Sequence, residues 1–145
     1  MTVIRGDRVV VYVLDHSDRL LVFAHRGDPT CGVQIPAGGL EPGEHVLDAA
    51  VREVREETGI ACVDAQTLAT LMQEMPVRGA YRNHFVFART SNAEAPTLWT
   101  HSVTGTGTDA SLEFDCGFAD LALADVILGP IQSACIDQLR TLIHS

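Results

Sequence analysis

The sequence predicts an α/β fold for a chain of 145 residues, read as one domain over 1–145. Two patterns predict it. Short apolar runs bounded by turn residues recur along the chain as strands, and two stretches switch to the three-to-four-residue period of an amphipathic helix. With 46% hydrophobic and 20% charged residues the chain lies far from the disordered class, so it can bury a core of its own.

The apolar runs RVVVYVL (8–14) and LLVFAH (20–25) flank the turn-like DHSDR and read as a β-hairpin. GVQIPAGG (32–39) offers a third short strand that ends on Pro36 and glycines. From 44 to 58 the pattern turns helical: Leu47, Ala50, Val51 and Val54 fall on one face, Pro42 and Gly43 punctuate the start, and Gly59 stands at the C-cap position. Further strands are expected at GIACVDA (59–65), TLATLMQEM (67–75), NHFVFART (83–90), LWTHSVTG (98–105) and LEFDCGFADL (112–121). SNAEAPT (91–97) and TGTGTDAS (104–111) read as loops, and residues 131–143 as a closing amphipathic helix.

Charge narrows the chemistry. The formal net charge is -9, and all ten basic residues are arginine. Without lysine there is no Schiff-base nucleophile, no P-loop lysine and no lysine-rich nucleic-acid patch. An acidic chain repels large nucleic acid, so a phosphate-bearing ligand must be held by a bound cation or by locally placed arginines. Cys31, Cys62, Cys116 and Cys135 are widely spaced without a zinc-site pattern and read as reduced thiols. The start lacks the apolar core of a secretory signal and no uncharged run reaches spanning length, so the expected compartment is the cytoplasm, with no membrane partner.

The helical stretch ends in REVREETG (52–59), which places Glu53, Glu56 and Glu57 on one side of the last turns. At about 100° per residue, Glu57 lies about 40° and Glu56 about 60° from Glu53, on opposite sides of it. Like charges at this spacing repel, and acidic groups in a last turn oppose the helix dipole. Arg52 and Arg55 are too few to neutralise the cluster, so a divalent cation is the better compensator; oxygen donors without a soft ligand point to Mg²⁺ or Mn²⁺.

The whole stretch 38–60 resembles the Nudix box. Gly38, five residues, Glu44, seven residues, Arg52, Glu53, apolar Val54, one residue, Glu56, Glu57, one residue, Gly59 and apolar Ile60 fill every fixed position. The resemblance implies the Nudix fold, a mixed β-sheet sandwiched between helices. It also implies a pyrophosphohydrolase that cleaves a nucleoside diphosphate linked to another group, with divalent cations as cofactors. Carried over by position, Glu53, Glu56 and Glu57 are metal ligands, Arg52 orients a carboxylate, and Gly38 lends a backbone carbonyl. Glu44, roughly opposite Glu53 on the helical wheel, takes a structural or helix-start role. Which carboxylate acts as base stays open; Glu113 and Asp115 are candidates for an extra acid, with solvated surface as the alternative. A catalytically silent, nucleotide-sensing Nudix-like domain is the rival reading; dimers are common among relatives, a homodimer is one assembly open to this chain, and no residue here marks an interface.

The expected partner is a small nucleotide or nucleotide derivative. The spacing of Pro76 from Ile60 resembles the mark of ADP-ribose pyrophosphatases. Arg26, Arg78 and Arg82, in or beside loops, are candidate clamps for phosphate or carboxylate. Trp99 either stacks on a base or packs in the core. A nucleoside triphosphate and a nucleotide sugar such as ADP-ribose both fit this reading.

Overall fold

The computed structural model describes residues 2–91, 96–105 and 112–145, so most of the two expected loops at 91–97 and 104–111 lies outside the described residues. Its centre is a seven-stranded mixed sheet. The strands are β1 (Ile4–Leu14), β2 (Arg19–His25), β3 (Ala37–Gly39), β4 (Cys62–Met75), β5 (Gly79–Thr90), β6 (Leu98–Ser102) and β7 (Glu113–Asp120). They run in the order β4-β5-β1-β2-β7-β6, with β3 paired to β1. Among the described strands, β1 and β5 pair in parallel and the other pairings are antiparallel.

β1 explains why helices cover both faces. Its apolar residues follow one another without interruption, and a strand points successive side chains to opposite faces. Val9, Val11 and Val13 pack beneath α1 (Val46–Thr58) with Ala49, Ala50 and Val54. Val10, Tyr12 and Leu14 pack on the other side with Ile136 and Leu139 of α3 (Ile136–Ile143). Tyr12 also organises the start of α3: its hydroxyl donates to the Gln132 carbonyl at 2.6 Å and accepts from the Cys135 N–H at 3.1 Å.

The expected hairpin forms, and its turn is held by one buried carboxylate. Asp15 accepts from the backbone N–H groups of Ser17 and Arg19 and pairs with the Arg19 guanidinium. β1 and β2 meet at Leu14 and Leu20 and then part. Residues 33–39 fill the opening: Gln34 exchanges backbone hydrogen bonds with Phe23, the Pro36 carbonyl accepts from Val11, and β3 pairs with Arg8 to Val10. The third strand is thus shorter than the expected 32–39. Pro36 has no N–H to offer a ladder, and the segment divides its bonds between two neighbours.

Other elements differ from the sequence reading: β1 begins at Ile4, β5 begins at Gly79 and β6 ends at Ser102. The strands expected at 59–65 and 67–75 form one continuous β4, whose register on β5 shifts between Val63 and Gln66 and again between Thr67 and Ala69. Asp64, at φ 57, marks the first irregularity, and such bulges break the period a sequence reader follows. α1 begins at Val46 with His45 as its cap, leaving Glu44 in the preceding turn. The closing helix begins at Ile136, because residues 131–135 turn to meet Tyr12 and Ile35. A single-turn α2 (Ala124–Ile127), preceded by a 3-10 turn at Leu121–Leu123, was not anticipated. Four residues are too few to show a period.

The four cysteines are thiols, with Cys62, Cys116 and Cys135 buried and Cys31 exposed. Among the described residues, no helix is long and apolar enough to cross a membrane.

Candidate active site

The acidic end of α1 meets the turn around β3. Gly59 closes the helix in the left-handed region at φ 78, with its N–H on the Arg55 carbonyl. The Trp99 indole N–H donates to the Thr58 carbonyl at 2.7 Å, and the Thr104 N–H to the Glu56 carbonyl at 3.0 Å. These bonds satisfy carbonyls that the helix end leaves open and fix the last turn against β6 and the residues after it.

Arg52 organises the carboxylates. Its Nε and Nη2 form a two-pronged pair with Glu44 at 2.8 and 2.9 Å. Nη1 donates to Glu53 at 2.9 Å and to Glu56 at 3.2 Å, while Nη2 also reaches the Gly39 carbonyl at 3.0 Å. One guanidinium therefore ties the turn before α1, the turn after β3 and two of the three clustered acids together. The two-pronged partner is Glu44, so its part in the structure is to hold Arg52 from outside the helix.

The three clustered glutamates differ in environment. Glu57 is 4% exposed and accepts the Ala37 N–H at 2.9 Å. The Glu53 side chain is 12% exposed and presses on Gly38, where an added Cβ would lie 2.3 Å from its carboxylate. The Glu56 side chain, 21% exposed, lies against Gly105 in the same way. Burial pushes the Glu53 carboxyl up to about 7, against the opposing pull of Arg52. Hydrogen bonds from Arg52 hold Glu44 below the usual carboxylate range, and the same contact raises Arg52.

The donor chemistry fits a hard divalent cation, since the clustered carboxylates offer oxygen and no soft ligand. Among the described residues no three acidic, histidine or cysteine side chains already converge on one point. A divalent cation would therefore need waters or substrate oxygens beside the protein carboxylates. Glu53 and Glu56, which share one arginine nitrogen, and Glu57 behind them are the residues that could hold it.

The other expected site residues are dispersed. Arg78 lines a cleft of about 130 Å³ together with Arg8, Gln34, Ala37 and Glu57, adjoining the carboxylates. Arg26 instead sits beside a separate depression with Glu113, 3.9 Å away, and donates to Thr100. Asp115 accepts from Thr100 at 2.7 Å on the same side. Arg82 pairs with Asp7 at 3.1 Å, beside His84. The ring of Trp99 lies against Phe118 while its N–H caps α1. Arg8 and Gln34 were missed by sequence reasoning. A signal for Arg8 existed: it shares the parity of Val10, Tyr12 and Leu14, so a charge begins an otherwise apolar inward row.

Comparisons with known proteins bear on the family and the fold. The model of the NUDIX domain matches residues 4–109. The human protein named 8-oxo-dGDP phosphatase NUDT18 is 31% identical over 68 residues, which cover 47% of this chain and 21% of that one. Its mouse counterpart is 35% identical over 80 residues, 54% and 23% of the two chains. Nudix hydrolase 25 of Arabidopsis thaliana is 41% identical over 51 residues, 35% and 29%. The matched stretches thus span under a third of each curated relative. Among solved structures, a NUDIX hydrolase from Nitrosomonas europaea superposes with a TM-score of 0.68 at 18% identity, covering 94% of this chain and 88% of that one. A UDP-X diphosphatase superposes at 0.64 and 14% identity, covering 97% and 65%. With the family model spanning most of the chain and the fold shared with such structures, this chain belongs to the Nudix family.

Proposed function

We propose that residues 1–145 form one catalytic domain, an Mg²⁺-dependent Nudix pyrophosphohydrolase that cleaves the pyrophosphate bond of a small nucleoside diphosphate derivative. The observation that carries the reading is the acidic face of α1, where Glu53 and Glu56 share Arg52 and Glu57 is buried behind β3. The names of the mammalian relatives and of the UDP-X diphosphatase support a phosphorylated nucleoside as the substrate class.

In this account Arg52, anchored on Glu44, holds Glu53 and Glu56 at fixed positions beside the Gly38 turn. Glu57, set by the Ala37 N–H, closes the inner side of the cluster. A bound Mg²⁺ would supply neutralisation of phosphate oxygens and acidification of an attacking water. The chain's carboxylates position that chemistry and take the water's proton, and the phosphoanhydride bond breaks as oxygen bonds to phosphorus.

Nucleoside triphosphates, dinucleoside polyphosphates and nucleotide sugars, incubated with Mg²⁺ and assayed by product, test the proposal. Pyrophosphate and a monophosphate identify a triphosphate pyrophosphatase; two monophosphate products identify hydrolysis of a diphosphate sugar such as ADP-ribose. Folded protein that binds nucleotide but turns over no member of the panel would instead support a sensing domain.

A further inference from the structure

The cleft beside the carboxylates brings two arginines together. Arg8 lies on β1 with its Nε buried and, among the described residues, without a hydrogen-bond partner. Its guanidinium lies 5.7 Å from the centre of the Tyr81 ring, which steadies the group but offers no acceptor in the ring plane. Arg78 lines the same cleft from the β4–β5 turn. Burial and the neighbouring Arg78 charge both disfavour a cation at Arg8, partly offset by Glu53 and Glu57. Two like charges converging on one cleft, one with an unused donor, are poor for folding and well suited to an anion.

The cleft's contents narrow the anion. Its volume of about 130 Å³ is below what a whole small-molecule ligand occupies, and is suited to a single group. The Gln132 side chain is engaged with the backbone of Ile35 on both its oxygen and nitrogen, and Glu57 is turned to the Ala37 N–H. That leaves the two arginines as the cationic donors, and Glu57 as the wall shared with the carboxylate cluster. The turn that carries Arg78 is also unusual: Val77, a β-branched residue, is held at φ 68.

We infer that Arg8 and Arg78 form a phosphate subsite, which holds a phosphate of the substrate lying beyond the bond that is cleaved and so favours nucleotides carrying that additional phosphate. The inference rests on the hydrolase reading above and narrows its substrate class. Arg8 is a specificity residue here, with no part in moving the proton or in holding the cation.

Two measurements separate this inference from the reading beneath it. Inorganic phosphate, titrated in the presence of a chelator so that no divalent cation takes part, should move the Arg8 Nε–H resonance in a ¹H–¹⁵N spectrum. The movement of the remaining arginine signals should be lost in Arg8→Gln and weakened in Arg78→Gln. For turnover, the ratio of kcat/KM for a nucleoside triphosphate to that for the matching diphosphate should fall about 10- to 100-fold in Arg8→Gln, as expected for a lost charge-assisted hydrogen bond. Arg78→Gln should lower it in the same direction, and Arg78 is exposed in its turn, outside the core. An Arg8 signal indifferent to phosphate, or an unchanged ratio in both variants, overturns the subsite. Wild-type protein that shifts with phosphate but hydrolyses no nucleotide overturns the hydrolase reading and leaves the anion site standing.

Discussion

Replacing Glu53 by glutamine should make the metal-free protein more stable at pH 8 while removing its turnover. The Glu53 side chain is 12% exposed, and burial raises its carboxyl from 4.5 to about 7. A carboxyl whose folded value is raised favours the folded state most when protonated. Its penalty is therefore absent below the unfolded value near 4.5, grows as pH rises toward 7, and is complete above that. A difference of this size corresponds to about 3 kcal/mol at pH 8 as an upper bound. Glutamine keeps the shape and an acceptor for the Arg52 nitrogen now 2.9 Å away, but gives up the charge that strengthens that bond. The net gain should be about 1 to 2 kcal/mol at pH 8, shrinking toward zero at pH 4. Urea unfolding of both proteins in chelator at the two pH values measures it. A variant less stable at pH 8, or a difference independent of pH, would refute the claim that Glu53 is destabilising in the metal-free fold.

Gly38→Ala should retain the fold yet lower turnover by about 100-fold. The nearest atoms an added Cβ meets are those of the movable end of Glu53, which it displaces by the ångström scale that catalysis does not tolerate; circular dichroism and kcat together check this. Iodoacetamide at pH 8 should label Cys31 alone in the native state, because burial pushes the thiols of Cys62 and Cys116 up to about 11 and 12; mass spectrometry identifies the modified peptide. Val77→Gly should stabilise the protein by about 1 kcal/mol in thermal or urea unfolding, since it relieves the left-handed backbone of an exposed β-branched residue.

What was legible in the sequence was local. The spacing of Glu53, Glu56 and Glu57 put all three in the last turns of α1 because a helix fixes neighbours by sequence separation alone, and Gly59 announced the cap that ends it. The hairpin of β1 and β2 was legible from two apolar runs around a polar turn. What stayed hidden depends on distant partners. Pro36 and Gln34 are drawn between two parting strands, which shortens β3. Glu44 reads as a helix-start acid, yet its partner is Arg52, eight residues on and across the turn. The Arg8 and Arg78 cleft joins residues seventy positions apart through the parallel pairing of β1 with β5, a contact that no period in either segment reveals.

The Mg²⁺ dependence of hydrolysis, measured on the best substrate of the nucleotide panel with wild type and Glu57→Gln side by side, tests the central claim most directly. The account predicts a rate that saturates with Mg²⁺ in wild type, vanishes in chelator, and falls by at least about 100-fold in Glu57→Gln with an unchanged circular dichroism spectrum. A rate indifferent to Mg²⁺, or equal in the two proteins, would contradict it.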